Sequence, residues 1–207
     1  PLVHIGLVLL MLGATWGSLN GEKIENFLAP GRSIKLLNRE GINQLNLKLK
    51  DFGIDRDPIG RPEQFHSTIE LTEPNKIESI VQEISVNHPY RFKGMTIYQA
   101  DWALTAITLQ IGENPKLQIP LTPLPELGEQ IWGVVIPTQA DSSEPVLISM
   151  SNEEGPVKIF NDEGVLISSL RPGGSEQEIK GVKIKVIDIL TASGLLLKKD
   201  PGVPFVY

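Results

Sequence analysis

The chain has 207 residues, of which 41% are hydrophobic and 21% charged, and its formal net charge is −6; chains of this hydrophobicity fold rather than stay disordered. The acidic balance, without a Lys/Arg run longer than two residues, argues against a nucleic-acid-binding protein, which normally carries a basic surface. Because the chain has no cysteine, disulfides, cysteine-ligated metal sites and thiol catalysis are excluded.

An apolar segment opens the chain. Residues 2–19 contain no Asp, Glu, Lys or Arg, and as a helix they would extend about 27 Å, close to the ~30 Å hydrocarbon core of a bilayer. We therefore predict that residues 1–19 form the C-terminal part of a transmembrane helix. A cleaved signal peptide is the alternative, but it needs a basic n-region, which is absent, and a small-residue cleavage site, which is poor here.

The body of the chain, residues 20–200, follows a period of two. Apolar and polar residues alternate in several runs, and turn-forming Gly, Pro, Asn and Asp residues separate these runs, as in half-buried antiparallel strands. The pattern predicts an all-β, antiparallel β-sandwich-like domain of ten or more strands in one or two packed sheets. Three of the apolar runs are Leu45, Leu47 and Leu49; Phe65, Ile69 and Leu71; and Val182, Ile184 and Val186.

Three further segments complete the predicted organisation. Residues 26–42 are predicted to include a short helix or an irregular link. Residues 138–145 are predicted to form an exposed loop and a candidate subdomain boundary. After a Lys-Lys-Asp-Pro-Gly turn, residues 201–207 are predicted to begin the next transmembrane helix.

Catalytic motifs are missing, and the histidines carry most of the chemical information. The sequence has no Gly-x-Ser-x-Gly, no P-loop and no Gly-x-Gly-x-x-Gly. His4 lies in the predicted membrane helix, where an ionisable side chain is costly and marks a functional site. It is a candidate axial ligand of haem iron, or it lies in the interface or bonds a neighbouring helix. His66 and His88 are predicted to be exposed or hydrogen-bonded surface residues.

Aromatic residues are concentrated in residues 92–102. Of the chain's twelve aromatic side chains (three Trp, three Tyr and six Phe), Phe92, Tyr98 and Trp102 lie in this segment. Packing in the core of a strand with a glycine bulge is the favoured interpretation. A docking surface for haem or for a partner, formed by these three residues, is the alternative.

Four segments, taken together and in order, resemble a known family. Residues 91–102 resemble the Gly-x-x-x-Tyr-Gln segment of ResB-like, or CcsB-type, cytochrome c biogenesis proteins of System II, with Gly94, Tyr98 and Gln99 at the motif positions. Residues 50–62 resemble a stretch early in that family's extracytoplasmic domain, and residues 193–202 its approach to the last membrane helix. His4-Ile5-Gly6-Leu7, followed by Gly13 and Gly17, resembles the helix that carries the family's essential histidine.

The resemblance implies a membrane-bound assembly factor rather than an enzyme. Such a factor works with a CcsA-type membrane protein, delivers haem across the membrane and presents it for covalent attachment to apocytochrome c. Haem would be held transiently through His4 and the partner protein, and a thioredoxin-like reductant would serve the substrate cysteines. The protein would lie in a thylakoid or bacterial cytoplasmic membrane, with its β domain on the lumenal or periplasmic side.

Two other functions stay open from the sequence. A membrane-anchored β-sandwich could serve as a docking module or scaffold without haem. A secreted hydrolase with a cleaved signal peptide is the third hypothesis, although no nucleophile–base motif supports it.

Overall fold

The structure is a computed structural model that describes residues 11, 21–38, 40–139 and 144–199. The predictions for the membrane segments, including His4, therefore lie outside the described residues. The described residues form two compact units, one within residues 1–102 and 193–207 and the other within residues 103–192. Over the described residues no helix is both long and apolar enough to cross a bilayer.

The first unit contains a complete four-stranded antiparallel sheet. Its strand order is β2-β3-β4-β5, with β2 at Ser33–Leu37, β3 at Asn43–Arg56, β4 at Pro62–Thr72 and β5 at Ser79–Ser85. The predicted alternation is confirmed in β3, where Leu45, Leu47 and Leu49 are all buried. The register of β3 against β4 shifts between Leu49 and Asp51, and this bulge moves Phe52 onto the buried face.

The first unit also contains part of a six-stranded antiparallel sheet. Strand β1 (Glu22–Leu28) pairs with the last residues of β15 (Val182–Lys199), which pairs with the start of β7 (Met95–Ile111), and β7 pairs with β6 (Tyr90–Phe92). Ile97, Leu195 and Leu197 of this sheet are buried, as are Leu47, Ile69 and Leu71 of the four-stranded sheet. Both sheets thus bury one apolar face within this unit.

The second unit is built around a five-stranded meander. Its order is β13-β12-β11-β10-β9, with β9 at Thr122–Pro123, β10 at Trp132–Pro137, β11 at Pro145–Met150, β12 at Val157–Phe160 and β13 at Leu166–Leu170. A 3-10 helix, Pro125–Leu127, links β9 to β10. The rest of β7 and β15 belongs to this unit, where β8 (Leu117–Pro120) pairs with β7 and β14 (Gln177–Ile179) pairs with β15. Ile148, Ile159 and Ile184 are among the fully buried residues.

The all-β prediction and the prediction of ten or more strands are confirmed by fifteen strands within residues 21–38, 40–139 and 144–199. The sheets number three in these ranges, rather than the expected one or two. Residues 26–42, expected to include a short helix or an irregular link, hold the last three residues of β1 and the whole of β2. The described residues between and after these strands form turns and irregular links, and none of them is helical. In the loop between β10 and β11, Thr138 Oγ1 donates to the carbonyl oxygen of Glu144 at 2.8 Å; the boundary proposed near 138–145 stays a prediction.

Candidate functional site

The two ends of the described β structure lie side by side. Strand β1 pairs with β15 so that Glu22 is opposite Lys199 and Lys23 is opposite Lys198. Glu22 lies three residues after the predicted first membrane segment and Lys199 lies two residues before the predicted second one, and these two residues are cross-strand neighbours. If both segments enter a bilayer, they do so from the same end of this sheet.

A buried polar cluster is formed by Ser67, Gln99 and Ser193, and Ser193 is opposite Leu28 at the other end of the β1–β15 pairing. The amide oxygen of Gln99 accepts from the hydroxyl of Ser193 at 2.7 Å and from that of Ser67, and the two hydroxyl oxygens are 2.8 Å apart. The amide nitrogen of Gln99 donates to the carbonyl oxygen of Asp101 at 2.7 Å. All three cluster residues are at most 5% exposed. An amide is not a useful proton acceptor, so this cluster holds strands together rather than activating a hydroxyl.

A close backbone approach adjoins the cluster. A Cβ at Gly194 would lie 2.7 Å from the Cβ of Asp101 and 2.9 Å from its carbonyl carbon and oxygen. Asp101 in turn accepts a hydrogen bond from the backbone nitrogen of Trp102 at 2.8 Å. The segment around Tyr98-Gln99 and the Ser193-Gly194 pair, which both carried the family resemblance, therefore contact each other in the fold.

Aromatic and cationic side chains lie on the opposite, outer face of the same strands. By alternation along β7, Tyr98 points away from the buried Ile97 and Gln99. The Lys198 ammonium lies 5.7 Å from the centre of the Tyr98 ring, a cation–π distance. Phe27 of β1 is 50% exposed and is paired with Gly194. We call Phe27, Tyr98 and Lys198 the outer face.

The three aromatic residues predicted as docking residues do not form one surface. Trp102 is only 6% exposed, and its ring stacks on Phe65, which stacks on Phe52, with ring centres 6.2 and 6.4 Å apart. Phe92 pairs with Met95, which puts it on the face opposite to Tyr98. Core packing therefore describes Trp102, while Tyr98 and Phe92 are half-buried and accessible.

Phe92 lies in a tight hairpin between β6 and β7. Lys93 and Gly94 both have positive φ angles of 48° and 77°, as a two-residue type I′ turn requires. The Lys93 ammonium lies 5.7 Å from the centre of the Phe92 ring and forms an ion pair with Glu73. This ion pair ties the hairpin to the end of β4.

Acid is expected to release this hairpin. Hydrogen bonds from Lys93 and then Lys76 lower the pKa of Glu73 below its ordinary value of 4.5. A carboxylate with a lowered pKa in the folded state stabilises that state above its ordinary pKa, and the effect is lost as the pH falls through the folded value. We expect Glu73→Gln to reduce the amide protection of residues 92–96 at pH 7. The parent protein should lose this protection as the pH falls below 4.5, and the variant should show no such loss. Hydrogen exchange measures this, with exposed Glu78→Gln as the control; equal protection in both variants would contradict the expectation.

The described histidines are surface residues, as predicted. The His66 Nε2 atom is 2.7 Å from a carboxylate oxygen of Asp55, and its Nδ1 atom is 3.4 Å from Glu83. His88 Nδ1 lies 3.3 Å from the carbonyl oxygen of Val86. Among the described residues no group of three His, Cys, Asp or Glu side chains is arranged to hold a metal ion.

Comparison with known proteins identifies the family. The ResB-like family matches residues 1–129, which is more than half of the chain. The chain is also 61% identical over 206 residues to cytochrome c biogenesis protein CcsB of Prochlorococcus marinus (strain MIT 9313), covering all of the chain and 48% of that protein. The chain belongs to the ResB-like family. The resemblance inferred from the four segments is confirmed.

Other ResB-like relatives show the same coverage. CcsB of Synechococcus sp. (strain WH7803) is 59% identical over 206 residues, and CcsB of Paulinella chromatophora is 56% identical over 215 residues. Each match covers the whole chain but only 48% and 49% of the relative. The chain thus spans about half the length of the curated relatives that it matches. The buried polar cluster and the outer face both lie within the part of the chain that aligns with these relatives.

Sequence reasoning overlooked the buried polar cluster. Ser67 stands between Phe65 and Ile69 in the alternating run of β4, so the period of two already placed its hydroxyl on the apolar face. Buried polar groups need partners, and that requirement pointed to further polar residues on the facing sheet. Gln99 and Ser193 supply them.

Proposed function

We propose that this chain is the extracytoplasmic β domain, with the end of one membrane helix, of a membrane-bound cytochrome c biogenesis factor. With a CcsA-type partner, the factor delivers haem across the membrane and presents it for covalent attachment to apocytochrome c. The observation that carries the proposal is the similarity of the whole chain to proteins named cytochrome c biogenesis protein CcsB. Those relatives come from cyanobacteria and Paulinella, which supports a thylakoid or bacterial cytoplasmic membrane.

The geometry of the domain supports a positioning role. Glu22 and Lys199 are cross-strand neighbours, so two flanking membrane helices would hold the domain by one end at the membrane surface. Tyr98 and Lys198 face outwards at that end. A substrate held beside membrane-bound haem reacts at a raised effective concentration without acid–base groups from the domain. Apocytochrome c, the CcsA-type protein and a thioredoxin-like reductant would be the partners.

His4 is the residue that we assign to haem in this proposal. It is the one histidine of the predicted membrane segment, and neutral imidazole is a common axial ligand of haem iron. His66 is engaged by carboxylates through both ring nitrogens, which makes it a poor candidate. Phe92 and Tyr98 are the accessible aromatic residues that we assign to partner or haem docking, whereas Trp102 lies in the core.

We expect His4→Ala to remove the haem absorption band of the full-length protein co-purified in detergent with its CcsA-type partner. Loss of an axial ligand weakens iron coordination, so c-type cytochrome maturation should fall with the band, and added imidazole should restore the band. His88→Ala, which removes an exposed histidine of the β domain, is the matched control. A normal haem band and normal maturation after His4→Ala would contradict the role of His4.

A second function is favoured by the outer face alone. A membrane-anchored docking module without haem would also use Tyr98, because aromatic side chains are enriched at protein interfaces, with Lys198 beside its ring. It predicts a colourless complex and unaffected c-type cytochromes after deletion of the gene. The same spectrum and maturation assay distinguish the two functions.

A further inference from the structure

The outward surface of the five-stranded sheet in the second unit carries a continuous apolar row. The backbone register places Val135 opposite Leu147, Leu147 opposite Phe160, and Phe160 opposite Leu166. Val135 is 62% exposed and Leu166 is 51% exposed. With strands about 4.8 Å apart, the row spans roughly 14 Å across four strands. A row of this length on a water-facing sheet is unusual, because exposed faces normally alternate to polar residues.

A polar row with an uncompensated cation runs beside the apolar row. It lies about two residues along the same strands and consists of Ser149, Lys158 and Ser169, which are successive cross-strand neighbours; Gly133, opposite Ser149, adds no side chain. No carboxylate belongs to this row. Within the part of the chain that the structure describes, the Lys158 ammonium has no ion-pair partner.

Two hollows adjoin these rows, and Leu127 and Phe160 line both of them. The first, of about 360 Å³, is also lined by Val135 and Leu147. The second, of about 320 Å³, is also lined by Ser149, Ser151 and Lys158. The first hollow is mostly apolar, with Asn161 and Asp162 also among its lining residues, and the second offers hydroxyl and ammonium donors.

Ser149 offers a free donor to the second hollow. The residue is only 5% exposed, and its hydroxyl forms no hydrogen bond with any residue in the described ranges. The hydroxyl is not fully enclosed and opens onto the hollow that Ser149 lines, where it can donate to water or to a group from outside the chain. Lys158, its cross-strand neighbour, would favour an acceptor that is anionic.

We propose that this surface binds haem, with the ring on the apolar row and a propionate carboxylate at Ser149 and Lys158. The inference rests on the proposed function, which brings haem to the domain. The surface is apolar in two directions, across four strands and towards Leu127, and this shape suits a flat ring better than a single alkyl chain. The described histidines, His66 and His88, belong to the first unit. Binding here therefore uses the ring and the carboxylate rather than an imidazole.

The test is a haemin titration of the full chain in detergent, followed in the Soret region. All samples carry His4→Ala, so the proposed membrane ligand does not contribute. We expect Lys158→Met to weaken binding roughly tenfold, the usual effect of losing a hydrogen bond to a charged group. Lys116→Met removes an exposed lysine elsewhere in the same unit and should leave binding unchanged. Haemin dimethyl ester, which lacks the carboxylates, should bind the parent and Lys158→Met equally.

A second pair of variants tests the apolar row. Val135→Asp introduces a carboxylate onto the row, which should repel the haem carboxylates and weaken binding at least tenfold. Val81→Asp, at a residue of the first unit that is 50% exposed, is the control. Because Val135 and Lys158 are both exposed, the variants should fold, and circular dichroism confirms this.

Two results would overturn the inference. Unchanged haemin affinity in both Lys158→Met and Val135→Asp would exclude this surface. Binding of oleate, sensitive to the same variants and not displaced by haemin, would assign the surface to a lipid carboxylate instead of haem. Either result leaves the proposed function standing, because that function is tested by His4→Ala in the complex with its partner.

Discussion

Replacing Gly194 by alanine should destabilise the first unit by roughly 1–3 kcal/mol, the usual cost of forcing an extra methyl group into a packed position. The added Cβ would lie 2.7 Å from the Cβ of Asp101 and 2.9 Å from its carbonyl carbon and oxygen. Backbone atoms cannot rotate away as the end of a flexible side chain can. Strands β7 and β15 would have to move apart, which would also stretch the hydrogen bond between Ser193 and Gln99.

A matched glycine in the same unit separates this steric effect from the general effect of a strand glycine. Gly53 lies within β3 and has open space around the position of its missing Cβ. Gly53→Ala should therefore be neutral or stabilise the unit by up to about 1 kcal/mol, because alanine loses less backbone entropy on folding. Urea unfolding followed by tryptophan fluorescence measures both variants. Equal unfolding midpoints would show that the contact with Asp101 does not constrain the fold.

The strand content could be predicted because alternation is a local property of the sequence. Leu45, Leu47 and Leu49 are buried as expected, and their period follows directly from strand geometry. The interruption of this alternation after Leu49 could not be predicted from the local sequence. The bulge at Lys50 depends on the register of β4 against β3, and a register is set by both strands and their facing core.

The segment 26–42 shows a second limit of local reasoning. Strand β1 has no strong alternation of its own; Glu25 and Asn26 interrupt it. It forms a strand because the last residues of β15, from the opposite end of the sequence, pair with all of it. Tertiary partners often override local preference in strands, and a single sequence read locally does not show which distant segments pair.

Sequence reasoning predicted only part of the candidate site. Tyr98 was singled out for its aromatic ring, and the structure shows it on the outward face beside Lys198. Trp102 was singled out in the same way but lies in the core, because β7 changes phase at the exposed pair Ala100-Asp101. The haem surface proposed for the second unit depends on the alignment of four strands, which no single strand sequence reveals. His4, whose role comes from the family resemblance, stays a prediction.

The second large loss of stability is expected from a substitution in the buried polar cluster. Gln99→Leu should destabilise the first unit by roughly 2–3 kcal/mol, since buried groups that lose a partner pay their full desolvation cost. Leucine removes the acceptor for the hydroxyls of Ser67 and Ser193, and it also removes the donor to the Asp101 carbonyl. The two hydroxyls, 2.8 Å apart, can still bond each other, so one hydroxyl proton is left without an acceptor. The urea midpoint relative to the parent measures the loss.

Gln82→Leu is the matched control for that variant. The Gln82 amide lies on β5 and bonds only the carbonyl oxygen of Glu83 in an exposed position. Water can replace that bond, so the control should change stability by less than about 0.5 kcal/mol, as is usual for surface substitutions. A similar loss in both variants would mean that the burial of Gln99 is not what makes its hydrogen bonds important.

Removing all three polar groups together tests whether the cluster acts as a unit. The triple variant Ser67→Ala, Gln99→Leu, Ser193→Ala replaces donors and acceptors at once, and such joint replacement can be nearly neutral. We expect its destabilisation to be smaller than the sum of the three single variants by roughly 1–3 kcal/mol, the coupling typical of residues in one network. Strict additivity would contradict the cluster. Recovery in the triple variant would show that these groups constrain one another, so that losing one partner costs more than losing all three.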